Sequence, residues 1–261
     1  MDTSVHSHLH VVANRVACSA CSLHPICLPA GLRSADLTHI DHRLVAARRK
    51  VARGEKLFRA GDRFVSLYAV WTGCFKTCVS ARDGRGQVTG LQMCGELLGN
   101  DGIASRRHEI DAVALEDAQV CVIHYDEMEE LWREVPALQQ QFHRLLGRDI
   151  VRQQLQMLLL GSMYAEERVA AFLLDLAQRM HLRGYSASTI LLRMSREEIG
   201  SLLGLTLETV SRIFSKFQTE GLLTVRNRQL AISDEAGLRR IHDGLAERVS
   251  APPRVARAAS A

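Results

Sequence analysis

Two short helices joined by a glycine constrain the fold of this chain more than any other feature of its sequence. Ser195 and Glu198 have the spacing of a helix-capping box, in which each side chain binds the backbone N–H of the other residue. They predict a first helix over residues 197–203. Gly204 then allows a sharp turn, and a second amphipathic helix runs to Phe217. The pattern predicts a helix-turn-helix.

A basic hairpin is predicted soon after the second helix. Short apolar segments at 223–225 and 230–232 flank a tip that contains Arg226 and Arg228. With this hairpin, residues 165–248 are predicted to form a winged helix-turn-helix. Helices of this class enter the major groove of double-stranded DNA, with their N-terminal residues at the base edges.

The exposed side of the second helix carries groups that can contact DNA. Arg212 can donate two hydrogen bonds to a guanine, and Glu208 can accept one from a cytosine amino group. The alternative is that these two residues, at i and i+4, form only a surface ion pair. Basic side chains farther along suit phosphates, which position a protein without specifying sequence. The predicted DNA contacts are Glu208, Thr209, Ser211, Arg212, Lys216, Arg226 and Arg228.

Glycines punctuate the segment from Leu44 to Tyr125 and separate short apolar runs. Many short strands with turn residues between them predict a β-sandwich or barrel-like domain over residues 44–135. The Asp-Gly-Arg-Gly sequence at 83–86 predicts a hairpin turn within it. The fold class is therefore α+β.

A long helix is predicted over residues 136–164, because Pro136 suits a first helical turn and only Gly147 interrupts the stretch before Gly161. Side chains recur along it at alternating spacings of four and three, the heptad pattern of a dimer seam. A helix packed on its own domain gives a similar stripe. The polar member Gln153 either makes association conditional or reaches water at the edge of the seam. The predicted seam consists of Leu146, Ile150, Gln153, Met157, Leu160 and Tyr164.

Three of the seven cysteines, Cys18, Cys21 and Cys27, lie within ten residues of one another. The sequence has no export signal and no apolar run near the ~18 residues of a membrane span, so these thiols predict metal binding or redox chemistry rather than disulfides. An iron–sulfur cluster needs a fourth thiolate; zinc needs the same four, or three with His24. The spacing does not choose between iron and zinc. The candidates for the fourth ligand are Cys74, Cys78, Cys94 and Cys121.

Residues 193–212 resemble the helix-turn-helix of the FNR branch of the cyclic-AMP-receptor superfamily, and Gly-Glu-Leu-Leu-Gly at 95–99 resembles its cyclic-nucleotide-type β-roll. The resemblance extends from Cys18 to Ile232. In this family a Glu-x-x-Ser-Arg pattern reads TTGAT half-sites of a palindrome, and it falls here on Glu208, Ser211 and Arg212. Nucleotide-responsive relatives carry an Arg and a Gly where this chain has Leu207 and Ser211.

The resemblance further implies an oxygen-labile [4Fe–4S] cluster held by Cys18, Cys21, Cys27 and Cys121, the last because it follows a Leu-Glu-x-x-x-Val run. It implies a cytoplasmic regulator, not an enzyme, that binds DNA as a homodimer without oxygen, acts with RNA polymerase and controls genes of anaerobic metabolism. The alternative is a constitutive regulator of the same superfamily with structural zinc or no cluster.

Two further expectations complete the interpretation. Where the family's nucleotide-binding members hold the cyclic phosphate with an Arg-Ser pair, this chain has His-Glu-Ile-Asp at 108–111, whose carboxylates would repel a phosphate; no cyclic nucleotide is expected. Residues 1–43 are expected to form a polar tail, containing His6, His8 and His10, followed by the cysteine loop. Residues 249–261 are expected to be a disordered tail.

Overall fold

The computed structural model describes residues 11–12, 17–80 and 86–249, with the backbone alone at 11–12 and 245–249. The histidines of the N-terminal tail, most of the predicted turn at 83–86 and the tail beyond residue 249 lie outside the described residues. The chain divides into two compact units, Met1–Gln154 and Leu155–Ala261.

Two antiparallel sheets form most of the N-terminal unit. Within the described residues their strands are β1 (Val11–Val12), β2 (Ala47–Val51), β3 (Lys56–Phe58), β4 (Ser66–Thr72), β5 (Cys74–Ser80), β6 (Gly86–Met93), β7 (Leu97–Leu98), β8 (Asp111–Ala114) and β9 (Ala118–His124). One sheet has the order β1-β2-β9-β4-β7 and the other β3-β8-β5-β6. Crossovers between non-consecutive strands produce the predicted β-roll.

The sheets form because alternating apolar side chains of their strands face a common core. Val70, Phe75 and Val120 are almost completely buried there. Two short helices that were not predicted are α1 (Ser34–Ile40) and α2 (Tyr125–Glu134). Their Ile40 and Met128 form a second buried cluster with Leu67 and Ile123 on the other face of the five-stranded sheet. The buried face of the five-stranded sheet therefore includes β9, the strand that carries Cys121.

The long helix α3 (Pro136–Ser162) begins at the predicted proline but ends two residues before the predicted Tyr164. Tyr164 has an extended backbone and begins the next helix, because its N–H donates to the carboxylate of Glu167 at 2.8 Å in a capping box. Tyr164 therefore lies outside the helical seam. The first part of α3 packs into the N-terminal core through Leu138 and Phe142.

The C-terminal unit contains four more helices and a small sheet. They are α4 (Ala165–Leu182), β10 (Thr189–Leu191), α5 (Arg196–Leu203), α6 (Leu207–Thr219), β11 (Leu223–Arg226), β12 (Gln229–Ile232) and α7 (Glu235–Val249). The hairpin β11–β12 matches the prediction, and β10, which was not predicted, adds a third strand in the order β10-β12-β11. Among the described residues, no helix has both the length and the apolar character needed to cross a membrane.

Candidate functional site

A cavity of about 30 Å³ beneath the five-stranded sheet brings the four predicted ligands together. Cys18, Cys21 and Cys27 line it from the N-terminal loop, and Cys121 lines it from β9. The rest of its wall is largely apolar and includes Leu23, His24, Leu28, Pro29, Leu44, Val45, Ala69, Val70, Trp71 and Ile123. Residues far apart in the sequence therefore share one enclosed space.

Local hydrogen bonds fold the cysteine loop back on itself. The N–H groups of Cys21 and His24 donate to the carbonyls of Cys18 and Cys21, both at 3.1 Å, in successive turns. The N–H of Ser19 donates to Asp41 Oδ1 at 3.0 Å. Leu28, fully buried, fixes the end of the loop in the core. The loop is thus held at both ends against the sheet.

The electrostatics show that the thiols influence one another. Burial, followed by the neighbouring thiols, raises the pKa of Cys18 to about 12, and burial raises that of Cys27 to about 12 as well. Burial also raises the pKa of Cys121, although a hydrogen bond from Arg48 opposes it. Thiolates are therefore costly to form here, and a metal or cluster bound by these cysteines would displace protons from them.

All four predicted cysteine ligands line the cavity. Among the described residues, no three His, Cys, Asp or Glu side chains lie close enough together to hold a single metal ion. The other cysteines lie elsewhere in the unit: Cys74 and Cys78 are on β5, and Cys94 follows β6, with its Sγ 3.6 Å from the Gly73 carbonyl oxygen.

The helix-turn-helix is built as its caps predict. Ser195 Oγ accepts from the Glu198 N–H at 3.1 Å, and Glu198 accepts from the Ser195 N–H at 2.7 Å. Gly204 ends α5 in the left-handed region, at φ 63°, and Thr206 caps α6 by accepting from the Thr209 N–H at 3.2 Å. The buried stripes are Ile199, Leu202 and Leu203 on α5, and Val210, Ile213, Phe214 and Phe217 on α6.

The predicted base-contacting side chains lie together on the first two turns of α6. Glu208 and Arg212 are exposed, while Thr209 and Ser211 are partly exposed. Arg212 Nη2 donates to Thr209 Oγ1 at 3.3 Å. The pKa of Glu208 is lowered chiefly by its own backbone N–H at the start of the helix, then by Thr206, with a smaller effect from Arg212.

The predicted phosphate ligands differ in their surroundings. Arg226 and Arg228 are exposed at the hairpin tip, on either side of Asn227, whose φ is 57°. Lys216 instead lies with its Nζ 2.7 Å from both carboxylate oxygens of Glu166 on α4. No local pattern in the sequence indicates this partner, since Glu166 is fifty residues away.

Arg168 is a second residue that sequence reasoning missed. Its Nε donates to the Met163 carbonyl at 2.9 Å, its Nη2 to that of Leu160 at 2.9 Å and its Nη1 to that of Leu203 at 3.0 Å. One guanidinium on α4 thus binds carbonyls at the C-terminal ends of both α3 and α5. Such ends have unpaired carbonyls and partial negative charge, which suit a cation.

The apolar face of α3 is displaced from the predicted seam. Leu146 packs against the N-terminal core. Leu160 lies next to Gly204 in the C-terminal unit. These two predicted seam residues therefore contact the chain itself rather than being free for a partner. Ile150, Gln153 and Met157 are exposed, Met157 by 65%. Other exposed apolar side chains, Val151, Leu155 and Leu158, continue this surface on the neighbouring positions of the helix.

Residues 108–111 correspond to the predicted position of the phosphate site in nucleotide-binding relatives. In this chain, side chains and backbone groups of the segment bind Phe58 and Asp101 instead. His108 is buried, stacks on Phe58 with ring centroids 3.7 Å apart, and places its Nδ1 3.4 Å from the Asp101 carboxylate. Asp101 also accepts from the backbone N–H groups of Glu109 at 2.8 Å and Ile110 at 3.3 Å. These amides are therefore already bound to an anionic group.

Comparisons with known proteins agree with both halves of this description. Residues 167–241 match the family model of the Crp-like helix-turn-helix domain, and residues 48–134 match that of the cyclic nucleotide-binding domain. The chain is 43% identical over 224 residues to the transcriptional regulatory protein btr of Bordetella pertussis, covering 86% of this chain and 92% of that protein. The chain belongs to the CRP/FNR family of transcription regulators.

Other members extend the comparison. The CRP/FNR chain is 37% identical over 238 residues to the anaerobic regulatory protein of Pasteurella multocida, covering 91% of this chain and 87% of that protein. Its fold matches the structure of FixK2 from Bradyrhizobium japonicum with a TM-score of 0.69 and 28% identity, covering 74% of this chain and 96% of that one. As a CRP/FNR regulator it binds DNA through its helix-turn-helix, and it is not an enzyme.

Proposed function

We propose that this CRP/FNR regulator senses oxygen through a [4Fe–4S] cluster held by Cys18, Cys21, Cys27 and Cys121, and binds TTGAT-type palindromes as a dimer while the cluster is intact. The observation that carries the proposal is the shared cavity, which four thiols line from two distant segments. The Pasteurella relative's name, an anaerobic regulatory protein, points to the same signal.

The residues around the cavity fit a cluster by the chemistry of the donor set. A [4Fe–4S] cluster takes four thiolates, each on a different iron, so its ligands surround a volume. A single zinc needs its four ligands at about 2.0–2.3 Å from one point. The cavity offers four thiols, and the name of the Pasteurella relative points to an anaerobic signal, so both support the cluster. The choice between the cluster and zinc is left to the metal and sulfide assay below.

Each part of the chain has a defined role in this proposal. When bound, the cluster supplies an iron centre that reacts with oxygen. The cysteine loop and β9 hold it in a largely apolar wall that limits access of water. With a cluster bound, Cys18, Cys21 and Cys27 would link the loop to Cys121 on β9, and without it the N-terminal unit would lack that link.

We propose that α3 forms the dimer through its exposed apolar face, around Ile150, Val151, Leu155, Met157 and Leu158. A dimer engages two half-sites about one helical turn apart, whereas a monomer engages one and loses most of the affinity. A modest change in the free energy of dimerisation therefore produces a large change in DNA occupancy.

The DNA-reading residues follow from the geometry of α6. Arg212 is proposed to pair with guanine and Glu208 with cytosine, with Ser211 at a neighbouring base edge, while Thr209 braces Arg212. Arg226 and Arg228 are proposed to contact phosphates. Lys216 joins them only if DNA displaces it from Glu166. Regulation of transcription further requires contact with RNA polymerase, which we propose as the second partner.

No cyclic nucleotide is part of the proposed function. Asp101 supplies a carboxylate to the amides of Glu109 and Ile110, and a phosphate brought to them would meet this negative charge at close range.

The cluster is tested by measuring iron, acid-labile sulfide and zinc per chain after anaerobic purification, with the visible spectrum followed as air is admitted. Iron with matching sulfide and a colour that bleaches in air is the expected result. Zinc without sulfide would refute the oxygen-sensing proposal and favour a constitutive regulator, in which His24, also in the cavity wall, could complete a zinc site.

The assignment of the fourth ligand has its own matched pair of variants. Cys121→Ser should abolish assembly of the cluster, whereas Cys94→Ser, outside the cavity, should assemble it as the wild type does. The reverse result would exclude Cys121 as the fourth ligand.

A further inference from the structure

A cationic side chain lies beside the fourth cysteine of the cavity. Arg48 on β2 pairs in register with Cys121 on β9, and Cys121 pairs in turn with Ala69 on β4. Directly paired residues project from the same face of a sheet, so Arg48 points to the face that carries the cavity. The Arg48 guanidinium lies over the ring of Trp71, 3.6 Å from its centroid, and Trp71 lines the cavity.

The hydrogen-bonding capacity of Arg48 is not fully used. Its Nε is buried and makes no hydrogen bond within the described part of the chain. Buried donors without an acceptor are uncommon in folded proteins, so this one indicates a place for a further acceptor. None of the described residues that line the cavity is a Lys or an Arg. Arg48, stacked on the lining residue Trp71, places a permanent positive charge beside this wall.

We propose that Arg48 is a positioning residue for the cluster: its guanidinium holds the Cys121 sulfur in the ligating orientation and offsets the negative charge of the thiolate-bound cluster. The inference rests on the proposed function. Stacking on Trp71 holds the guanidinium in place.

The physical reason lies in how proteins adjust a cluster. Hydrogen bonds to the sulfurs, nearby charge and exposure to solvent set its reduction potential. Loss of a hydrogen-bond donor and of a positive charge lowers the reduction potential of the cluster, so oxygen oxidises it more easily. Loss of groups that orient metal ligands typically lowers metal affinity or activity by about 10–100-fold.

The experiment compares Arg48→Met with Lys50→Met. Lys50 is exposed, lies on the same strand and the same face, and its replacement removes the same charge. Both variants and the wild type are loaded anaerobically, assayed for iron and sulfide, and exposed to a fixed oxygen concentration. The rate of loss of visible absorption is then measured. In cluster-free protein, the rate of alkylation of Cys121 at pH 7.5 is followed by peptide mass spectrometry.

Arg48→Met should lose its colour about tenfold faster than the wild type and alkylate more slowly at Cys121, whereas Lys50→Met should match the wild type. Arg48→Lys, which keeps the charge, should recover part of both effects; a merely structural role for Arg48 would not give this rescue. Thermal unfolding checks that each variant is folded, and Arg48→Gln replaces Arg48→Met if that variant is not.

Equal rates of colour loss in the Arg48 variants and in Lys50→Met would overturn the inference and leave the proposed function standing. Wild-type protein without iron and sulfide would overturn both.

Discussion

Arg168 joins the ends of two helices in the C-terminal unit, and its replacement by methionine should loosen that unit selectively. Methionine keeps much of the length of the side chain but removes all three N–H donors that bind the carbonyls of Leu160, Met163 and Leu203. These carbonyls lie at or just beyond helix ends, where helices generally leave carbonyls without intrahelical partners.

The size of the effect follows from the three bonds. Hydrogen bonds from a charged donor contribute about 1.5–3 kcal/mol each when buried, and Arg168 is partly exposed, so about 1 kcal/mol per bond is appropriate. The expected loss is about 3 kcal/mol, roughly a 150-fold change in the equilibrium for opening. For a unit of this size it corresponds to a fall in Tm of roughly 10–20 °C.

Hydrogen–deuterium exchange of peptides from α5 and α6 measures this opening directly. Both tryptophans, Trp71 and Trp132, lie in the N-terminal unit, so their fluorescence reports on the other half of the chain and should change little. Arg239→Met is the matched control, because it removes an exposed ion pair with Glu235 and should cost less than about 0.5 kcal/mol. Exchange in Arg168→Met no faster than in Arg239→Met would refute the reasoning.

Three further predictions concern single contacts. Glu166→Gln should release Lys216 for phosphate contact, raising DNA affinity about threefold and steepening its salt dependence, as measured by anisotropy titrations at several salt concentrations; weaker binding would contradict this. Gly200→Ala should lower the free energy of unfolding by about 1–3 kcal/mol, because its Cβ would lie 2.6 Å from a backbone carbonyl oxygen of the turn, whereas Gly147→Ala, with open space around it, should not destabilise the protein; both are measured by thermal unfolding. In cluster-free protein, burial raises the pKa of Cys27 from 9.0 to about 12, so its stabilising contribution is complete below pH 9 and is lost as the pH rises towards 12; urea unfolding of Cys27→Ser should lack this part of the pH dependence.

Local signals in the sequence were sufficient for the helix-turn-helix. The cap at Ser195 involves only Glu198, and the turn at Gly204 only Gly200, each within four residues along the chain. Local sequence is therefore enough to determine both geometries. The β10 strand was missed because only its pairing with β12, about forty residues later, defines it. Its three residues have too short a pattern to indicate a strand alone.

Most of the features that could not be predicted from the sequence depend on contacts between residues far apart along the chain. Spacing alone left four candidates for the fourth cysteine; the register of β9 between β2 and β4 brings Cys121 to the cavity. On α3 the heptad pattern located an apolar helix, but it could not show that Leu146 packs inward on the N-terminal core, because that depends on α2 and the sheet. Arg48 and Arg168 are similarly indistinguishable in sequence from surface arginines.

The cysteine loop and β9, which both line the cavity, are far apart in the sequence, so they are synthesised at different times. Cys121 leaves the ribosome ninety-four residues after Cys27, and at about 5–20 residues per second this takes roughly 5–20 s. During that interval the three N-terminal thiols belong to a nascent chain that has neither β9 nor the wall it provides. During this time the three thiols are accessible to oxidants and metal ions in solution. The cavity is complete only after β9 has joined the sheet, so under the proposed function cluster loading would depend on the timing of synthesis as well as on geometry.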